Sequence, residues 1–269
     1  MGKYQGGPRR GGFLPYDEAH AVQEECRNEF LRWKGLKDAE REAAEVLRPT
    51  LISFEAKPTY TLGRRQEDLT GEQAAHLTRK LSIRLPRREG LIDESSTPVV
   101  RRTQRGGMTT YHGPGQLVLW PVLDMHSSLY PHFSVSSYAH CLEATTQRFL
   151  STLYGINTVT SEESPGVWVP NAEGIPTRKV AALGVHLRRH VTGLGTAINV
   201  DVPTEGSGEN DRNPWARFEP CGLSADGVTS LEREVKGKGE EVPRVWDLED
   251  LASAWGRLFE EALKDTSKR

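Results

Sequence analysis

The chain predicts an α+β or mixed-sheet domain. Strand-type apolar runs are interspersed with amphipathic helical runs, and no segment repeats. Two strand runs are joined across Asn171-Ala172-Glu173-Gly174, a hairpin signal. At 269 residues the length suits one large domain or two small ones.

Residues 1–14 carry Lys3, Arg9 and Arg10 without an acid, are Gly-rich and lack apolar periodicity. They read as a disordered tail or a trimmed start, leaving 15–269 as the domain. Tyr16, Ala19, Val22, Cys26 and Phe30 recur at three- and four-residue spacing, predicting an amphipathic helix from Tyr16 to Leu31. Residues 34–48 are heavily charged and end before Pro49, a solvated insertion, helical or looped. Leu51 to Glu55, Val99 to Thr103 and Leu117 to Trp120 read as strands.

Ser134 is placed to cap a helix running to about Tyr154, with Gly155 as its stop. Val135, Tyr138, Leu142, Phe149, Leu150 and Leu153 make its apolar face, and Cys141 beside them reads as packing. Val167 to Val169 and Lys179 to Val185 are the hairpin strands. A third strand, Gly195 to Val202, follows a turn at Thr192-Gly193. Residues 232–243 are charged and Gly-punctuated, a flexible surface insertion. Asp247 caps a final helix lined by Leu248, Leu251, Ala252, Trp255, Leu258, Phe259 and Ala262.

Composition excludes several function classes. The 35 basic and 37 acidic residues nearly cancel, so no global field recruits nucleic acid, and Arg101-Arg102 and Arg188-Arg189 are local features. No apolar run approaches the roughly 18 residues of a membrane span. Three scattered cysteines make neither a disulfide framework nor a zinc pair, and fit a reducing compartment. His126, His132 and His140 straddle a loop and a helix start. His186 and His190, four apart on one strand, would share a face, yet no third ligand accompanies them, so no metal is expected.

One run combines backbone freedom with hydrogen-bonding chemistry: Arg105-Gly106-Gly107-Met108-Thr109-Thr110-Tyr111-His112-Gly113-Pro114-Gly115-Gln116. Its glycines allow close approach to a ligand and its proline sets a turn, as a loop wrapped around a substrate requires. Cys221, between Pro220 and Gly222, sits in a loop context unlike the helical Cys26 and Cys141. A lone cysteine is structural more often than catalytic. Lys179 opens an otherwise apolar strand; by itself it reads as a strand-end lysine reaching solvent.

Four segments in register resemble the lipoyl(octanoyl) transferase family, known as lipoate biosynthesis protein B. They are Pro58 to Arg64 (PTYTLGR), Arg105 to Gln116, Lys179 to Val185 (KVAALGV) and Pro220 to Leu223 (PCGL). The resemblance spans roughly Tyr16 to Leu223 and implies the fold of the biotin and lipoate protein ligase catalytic domains, a single mixed-sheet domain with flanking helices. It implies that Cys221 is the acyl-accepting nucleophile and that Lys179 lowers the thiol pKa. It further implies that substrate is held by Arg105, Gly106, Gly107, Met108, Thr109, Thr110, Tyr111 and His112, by Ala182, Leu183 and Gly184, and by Gly195, Thr196 and Ala197.

The implied reaction moves octanoyl from an octanoyl-acyl carrier protein to a specific lysine of a lipoyl carrier domain. The implied acceptors are the lipoyl domains of 2-oxoacid dehydrogenase complexes and the glycine cleavage H protein. No cofactor is expected, because the incoming thioester already carries the activation. His112 invites a Cys-His dyad, but the resemblance places it in the substrate loop. The family's RWVTYHGFALNV reads here as Arg189-His190-Val191-Thr192-Gly193-Leu194-Gly195-Thr196-Ala197-Ile198-Asn199-Val200, which leaves acyl-length preference open. The rivals are an ATP-dependent lipoate- or biotin-protein ligase on the same fold and a catalytically silent scaffold. The charged insertions point to a mitochondrial member if the chain is eukaryotic, and to a cytoplasmic one otherwise.

Overall fold

The computed structural model describes residues 13–87, 90–205, 211–218 and 227–265. In chain order the elements are α1 (Tyr16–Trp33), α2 (Asp38–Ala43), β1 (Thr50–Phe54), β2 (Thr59–Leu62), α3 (Gly71–Leu77), β3 (Leu81–Arg87), β4 (Gly90–Ser96) and β5 (Val99–Arg102). There follow β6 (Thr109–His112), β7 (Gln116–Val122), α4 (Val135–Tyr154), β8 (Gly166–Pro170), β9 (Pro176–Arg188), β10 (Val191–Asn199), α5 (Leu231–Gly237) and α6 (Leu248–Lys264).

The main sheet has the order β1-β7-β10-β9-β8, with every neighbouring pair antiparallel. A smaller sheet, β5-β2-β6, carries the parallel pairing, between β2 and β5. The β3–β4 hairpin stands beside them. β7 shows why its sequence is apolar throughout. Leu117 and Leu119 join one core with α4 and α6, while Val118, Trp120 and Val122 join a second core under α1. A strand buried on both faces has no solvated side to alternate with.

The predicted caps form. The Ser134 hydroxyl accepts from Ser137 N, Gly155 ends α4 in the left-handed region, and Asp247 accepts from Glu249 N and Asp250 N. On α4, however, Val135 and Leu153 are exposed instead of joining the apolar face.

Four other expectations are corrected. The turn before the third strand lies at Arg189 and His190, both with positive φ, so Thr192 and Gly193 are inside β10. Residues 231–237 are helical, and Leu231 and Val235 are buried, because two apolar residues four apart cover the main core. Phe13 is buried and Leu14 bridges Ala56, so the domain includes the end of the segment read as a tail. A third of the glycine-rich run is a strand, β6, paired with β2.

Candidate active site

Two strands of the main sheet make one wall of a cleft. β9 and β10 set Ala182 opposite Ala197, Leu183 opposite Thr196 and Gly184 opposite Gly195. Small residues in these registers leave space that larger side chains would fill. A Cβ on Gly195 would collide with the Leu119 carbonyl on β7, so that position requires glycine. A Cβ on Gly184 would stand 3.2 Å from Cδ of Arg105.

The other wall is wired by polar contacts. Arg105 is buried; Nη2 donates to the Thr61 carbonyl at 2.6 Å, and Nη1 to the Gly106 carbonyl at 3.0 Å. The β2–β6 pairing extends into the loop: Gly63 N bonds Met108 O, Arg64 N bonds Arg105 O and Arg65 N bonds Gly107 O. This pairing explains why PTYTLGR and the glycine-rich run sit far apart in sequence yet work as one unit. Gly115, at φ +88°, accepts three backbone N–H groups from Val200 to Val202 through its carbonyl, and donates to Glu55 at 2.5 Å. Glu55 and Asp201 both bind Arg87 of β3, at 2.6 and 2.7 Å, so an ion triad holds the loop's far end. Burial raises both carboxyl pKa values, with Arg87 pulling the other way.

His112 is buried and stacks on Tyr16, ring centroids 5.4 Å apart. Its Nδ1 lies 2.8 Å from Gln116 Oε1. Burial, reinforced by Arg105, lowers its pKa to about 4, while the Gln116 bond opposes that shift. A Cys-His dyad needs a histidine that takes up a proton near neutral pH, and burial pushes His112 away from that.

Lys179 is only 6% exposed, which rules out the strand-end reading. Its Nζ donates to Ser164 Oγ at 2.7 Å and to the Pro165 carbonyl at 3.2 Å, and lies 4.6 Å from the Trp168 ring centroid. Gly166, at φ +140°, lets the chain pass beside the lysine stem. Glu143 accepts from Gly166 N at 2.8 Å; burial raises its pKa, with Lys179 among the opposing causes.

The structure brings Lys179, Arg105, Thr110, His112, Ala182, Leu183, Gly184, Gly195, Thr196 and Ala197 to one cleft of about 470 Å³, including its open mouth. Tyr16, Trp120, Pro165 and Leu194 complete the lining. Helical spacing marked Tyr16 as core, and nothing local distinguishes a core aromatic from one that also faces a cleft. Gly106, Gly107, Met108, Thr109 and Tyr111 lie outside this lining. Met108 and Thr109 line a separate groove with Gln66 and Arg217. The Tyr111 ring points to the opposite side of β6, against Tyr60 and Trp215. Cys221 lies outside the described residues; eight residues later, Thr229 N donates to the Lys179 carbonyl at 3.0 Å.

The remaining histidines do not converge on this cleft. His186 neighbours Arg27, whereas His190 sits in a turn and stacks on His126, which in turn stacks on His132. The expected shared face of His186 and His190 therefore does not exist. Among the described residues no group of three or more His, Cys, Asp or Glu could hold a metal ion. No described helix is long and apolar enough to cross a membrane.

Residues 37–257 match the profile of the lipoyl protein ligase A/B catalytic domain. An octanoyltransferase of Bacteroides thetaiotaomicron is 31% identical over 252 residues, covering 92% of either chain. A chloroplastic octanoyltransferase of Arabidopsis thaliana is 30% identical, over 92% of this chain and 73% of that one. A mitochondrial octanoyltransferase of Saccharomyces cerevisiae is 31% identical, over 68% of this chain and 52% of that one. Among solved structures, a lipoate-protein ligase A bound with ATP superposes with TM-score 0.53 at 15% identity, covering 97% of this chain and 91% of that one. LipL1 of P. falciparum in complex with lipoate gives 0.55 at 11% identity, over 93% and 60%. At those identities the two structures establish the fold.

Proposed function

The chain belongs to the lipoyl protein ligase A/B catalytic-domain family, as an acyltransferase of its octanoyltransferase branch, and on that premise we propose a two-step octanoyl transfer through Cys221. The Cys221 thiolate attacks the carbonyl carbon of an octanoyl thioester on an acyl carrier protein. The carrier's C–S bond breaks and its thiolate leaves, taking up a proton. A lysine amine of a lipoyl domain then attacks the acyl-enzyme, the enzyme C–S bond breaks, and the thiol re-forms as the amine nitrogen loses its proton. The first step exchanges one thioester for another and the second makes an amide, so no nucleotide is consumed.

The observation that carries this reading is the burial of Lys179 in a cleft whose β9–β10 wall is made of small and apolar residues. A free thiol of pKa about 8.5 is only a few per cent thiolate at neutral pH. Each unit by which a nearby cation lowers that pKa is worth about 1.4 kcal/mol. The small residues of β9 and β10 suit an aliphatic chain, and backbone N–H groups suit the oxyanion of a tetrahedral intermediate. The mitochondrial relative in yeast supports a mitochondrial location if this chain is eukaryotic, whereas the plant relative is chloroplastic.

The alternative, an adenylating ligase on the same fold, needs ATP and no nucleophilic thiol. Intact-mass analysis after mixing with octanoyl carrier protein, without ATP, separates the two. The expected result is one added octanoyl group, mapped to Cys221 and absent from Cys221→Ser. In Lys179→Met, Cys221 should be alkylated only at higher pH. Pyrophosphate release matched to acceptor modification, with Cys221→Ser fully active, would decide for the ligase.

A further inference from the structure

The cleft contains an imidazole, His112, whose tautomer is settled by its neighbours. Asn199 Nδ2 donates to the Thr229 carbonyl at 3.0 Å, so Asn199 Oδ1 faces Gln116. Gln116 Nε2 donates to that oxygen at 2.9 Å and to the Tyr111 carbonyl at 3.2 Å. Turning the Gln116 amide over would set its oxygen against two other oxygens, so Oε1 is the atom that meets His112. The proton between them must therefore sit on His112 Nδ1, so that in the neutral ring the lone pair is on Nε2. Gln116 and Asn199 are almost fully buried, so this relay has no water to substitute for it.

With Nδ1 committed to Gln116, the polar atom that His112 can offer the cleft is Nε2. An unprotonated Nε2 cannot donate to an oxyanion, and it cannot act as a general acid. It can only accept. The two cations of the cleft, Lys179 and Arg105, are donors that suit acyl oxygen and thiolate, whereas an octanoyl thioester carbonyl and its alkyl chain bring no N–H of their own.

We propose that His112 Nε2 accepts an N–H hydrogen bond from the acceptor lysine's neutral amine and thereby aims the nitrogen lone pair at the acyl carbon. The inference rests on the acyl-enzyme reading above and assigns His112 to its second step alone. His112 keeps no proton: the amine's C–N bond forms, the C–S bond breaks, and the proton lost by nitrogen balances the thiol that re-forms. The depressed pKa of His112 supports this role, because a histidine that charged near neutral pH would lose its lone pair and repel ammonium groups. Among the described residues, Tyr16 from α1, Arg105 from the loop and Lys179 from β9 are the ionisable groups that share its cleft.

The test separates the half-reactions. Octanoyl-enzyme is prepared with octanoyl carrier protein, and its decay is followed on adding either a lipoyl domain or n-butylamine. His112→Asn retains an N–H donor for Gln116 but lacks the Nε2 acceptor. It should be acylated within about threefold of the native rate and be deacylated by either amine on the order of 100-fold more slowly. His112→Gln, which restores an acceptor near the Nε2 position, should recover much of that loss. Gln116→Glu places a carboxylate beside Nδ1 and should raise the His112 pKa, adding an acid limb to the deacylation pH profile that the native protein lacks. Equal losses in both half-reactions of His112→Asn would mark a structural role and overturn the proposal. A loss confined to acylation would assign His112 to the donor's arm and overturn it too. If native protein never acquires octanoyl, the parent reading fails first, and this one with it.

Discussion

The two walls of the cleft are held in place by different physics. The β9–β10 wall is set by strand register and by apolar packing on both faces of the main sheet. The loop wall, from Arg105 to Gly115, is set by directional contacts: Arg105 to Thr61, His112 to Gln116, Gly115 to Glu55, and Arg87 behind them. A packed wall fails when volume changes. A wired wall fails when a buried charge or acceptor is orphaned. The contrast therefore foretells which substitutions are severe and which are tolerated.

The largest expected effect is in the wired wall. Arg87→Met leaves Glu55 and Asp201 buried without their cation, a change of about 3–5 kcal/mol. Urea unfolding should show it as a large drop in midpoint, whereas Arg101→Met, which breaks an exposed pair with Asp17, should cost about 1 kcal/mol or less. Similar midpoints for the two variants would mean that the loop does not depend on the triad.

Acid should expose the same wall. The folded pKa of His112, about 4, lies below its ordinary value of 6.5, so its contribution is present above pH 6.5 and lost as pH falls towards 4. A gap of that size corresponds to about 3 kcal/mol. Glu55 and Asp201, raised by burial, have the opposite sign, contributing most at low pH and less as pH rises through their folded pKa values. Comparing stability against pH for native and His112→Gln protein isolates the histidine, since the carboxylates are common to both. An unchanged slope between pH 6.5 and 4 would refute the burial of a neutral His112.

The packed wall should respond more gently, and unequally. In Gly195→Ala the new methyl meets the fixed Leu119 carbonyl, an overpacking cost of about 1–3 kcal/mol. In Gly184→Ala it meets only the flexible stem of Arg105, so stability should fall by less than about 1 kcal/mol. The visible consequence of Gly184→Ala should instead be a shorter preferred acyl chain, read by comparing hexanoyl, octanoyl and decanoyl donors. If both variants were equally destabilised, register and volume would not be what distinguishes these glycines.

Much of the fold was legible because its signals are local. The stripes of α1, α4 and α6, with the Ser134 and Asp247 caps, follow from residues a few positions apart. Elsewhere local rules misread the chain. Residues 231–237 look like a solvated insertion until Leu231 and Val235 find the main core. The turn at Arg189-His190 contains no glycine at its positive-φ positions, so turn-forming residue types point instead to Thr192-Gly193.

The chain by itself determined the chemistry on offer: a cysteine in a PCG loop, a lysine opening an apolar strand, a glycine-rich run beside histidine, and the family these spell out together. Residue type and order are sufficient for that, because they state which groups can react. Only the tertiary structure decided which of those groups meet. It buried Lys179, turned Tyr111 away from the cleft and His112 into it, and brought Tyr16 and Leu194 into the lining. It also decided the tautomer of His112, through Gln116, Asn199 and the Thr229 carbonyl. The physical reason is that burial and hydrogen-bond polarity belong to neighbours in space, and here Gln116, Asn199 and Thr229 come from separate segments of the chain.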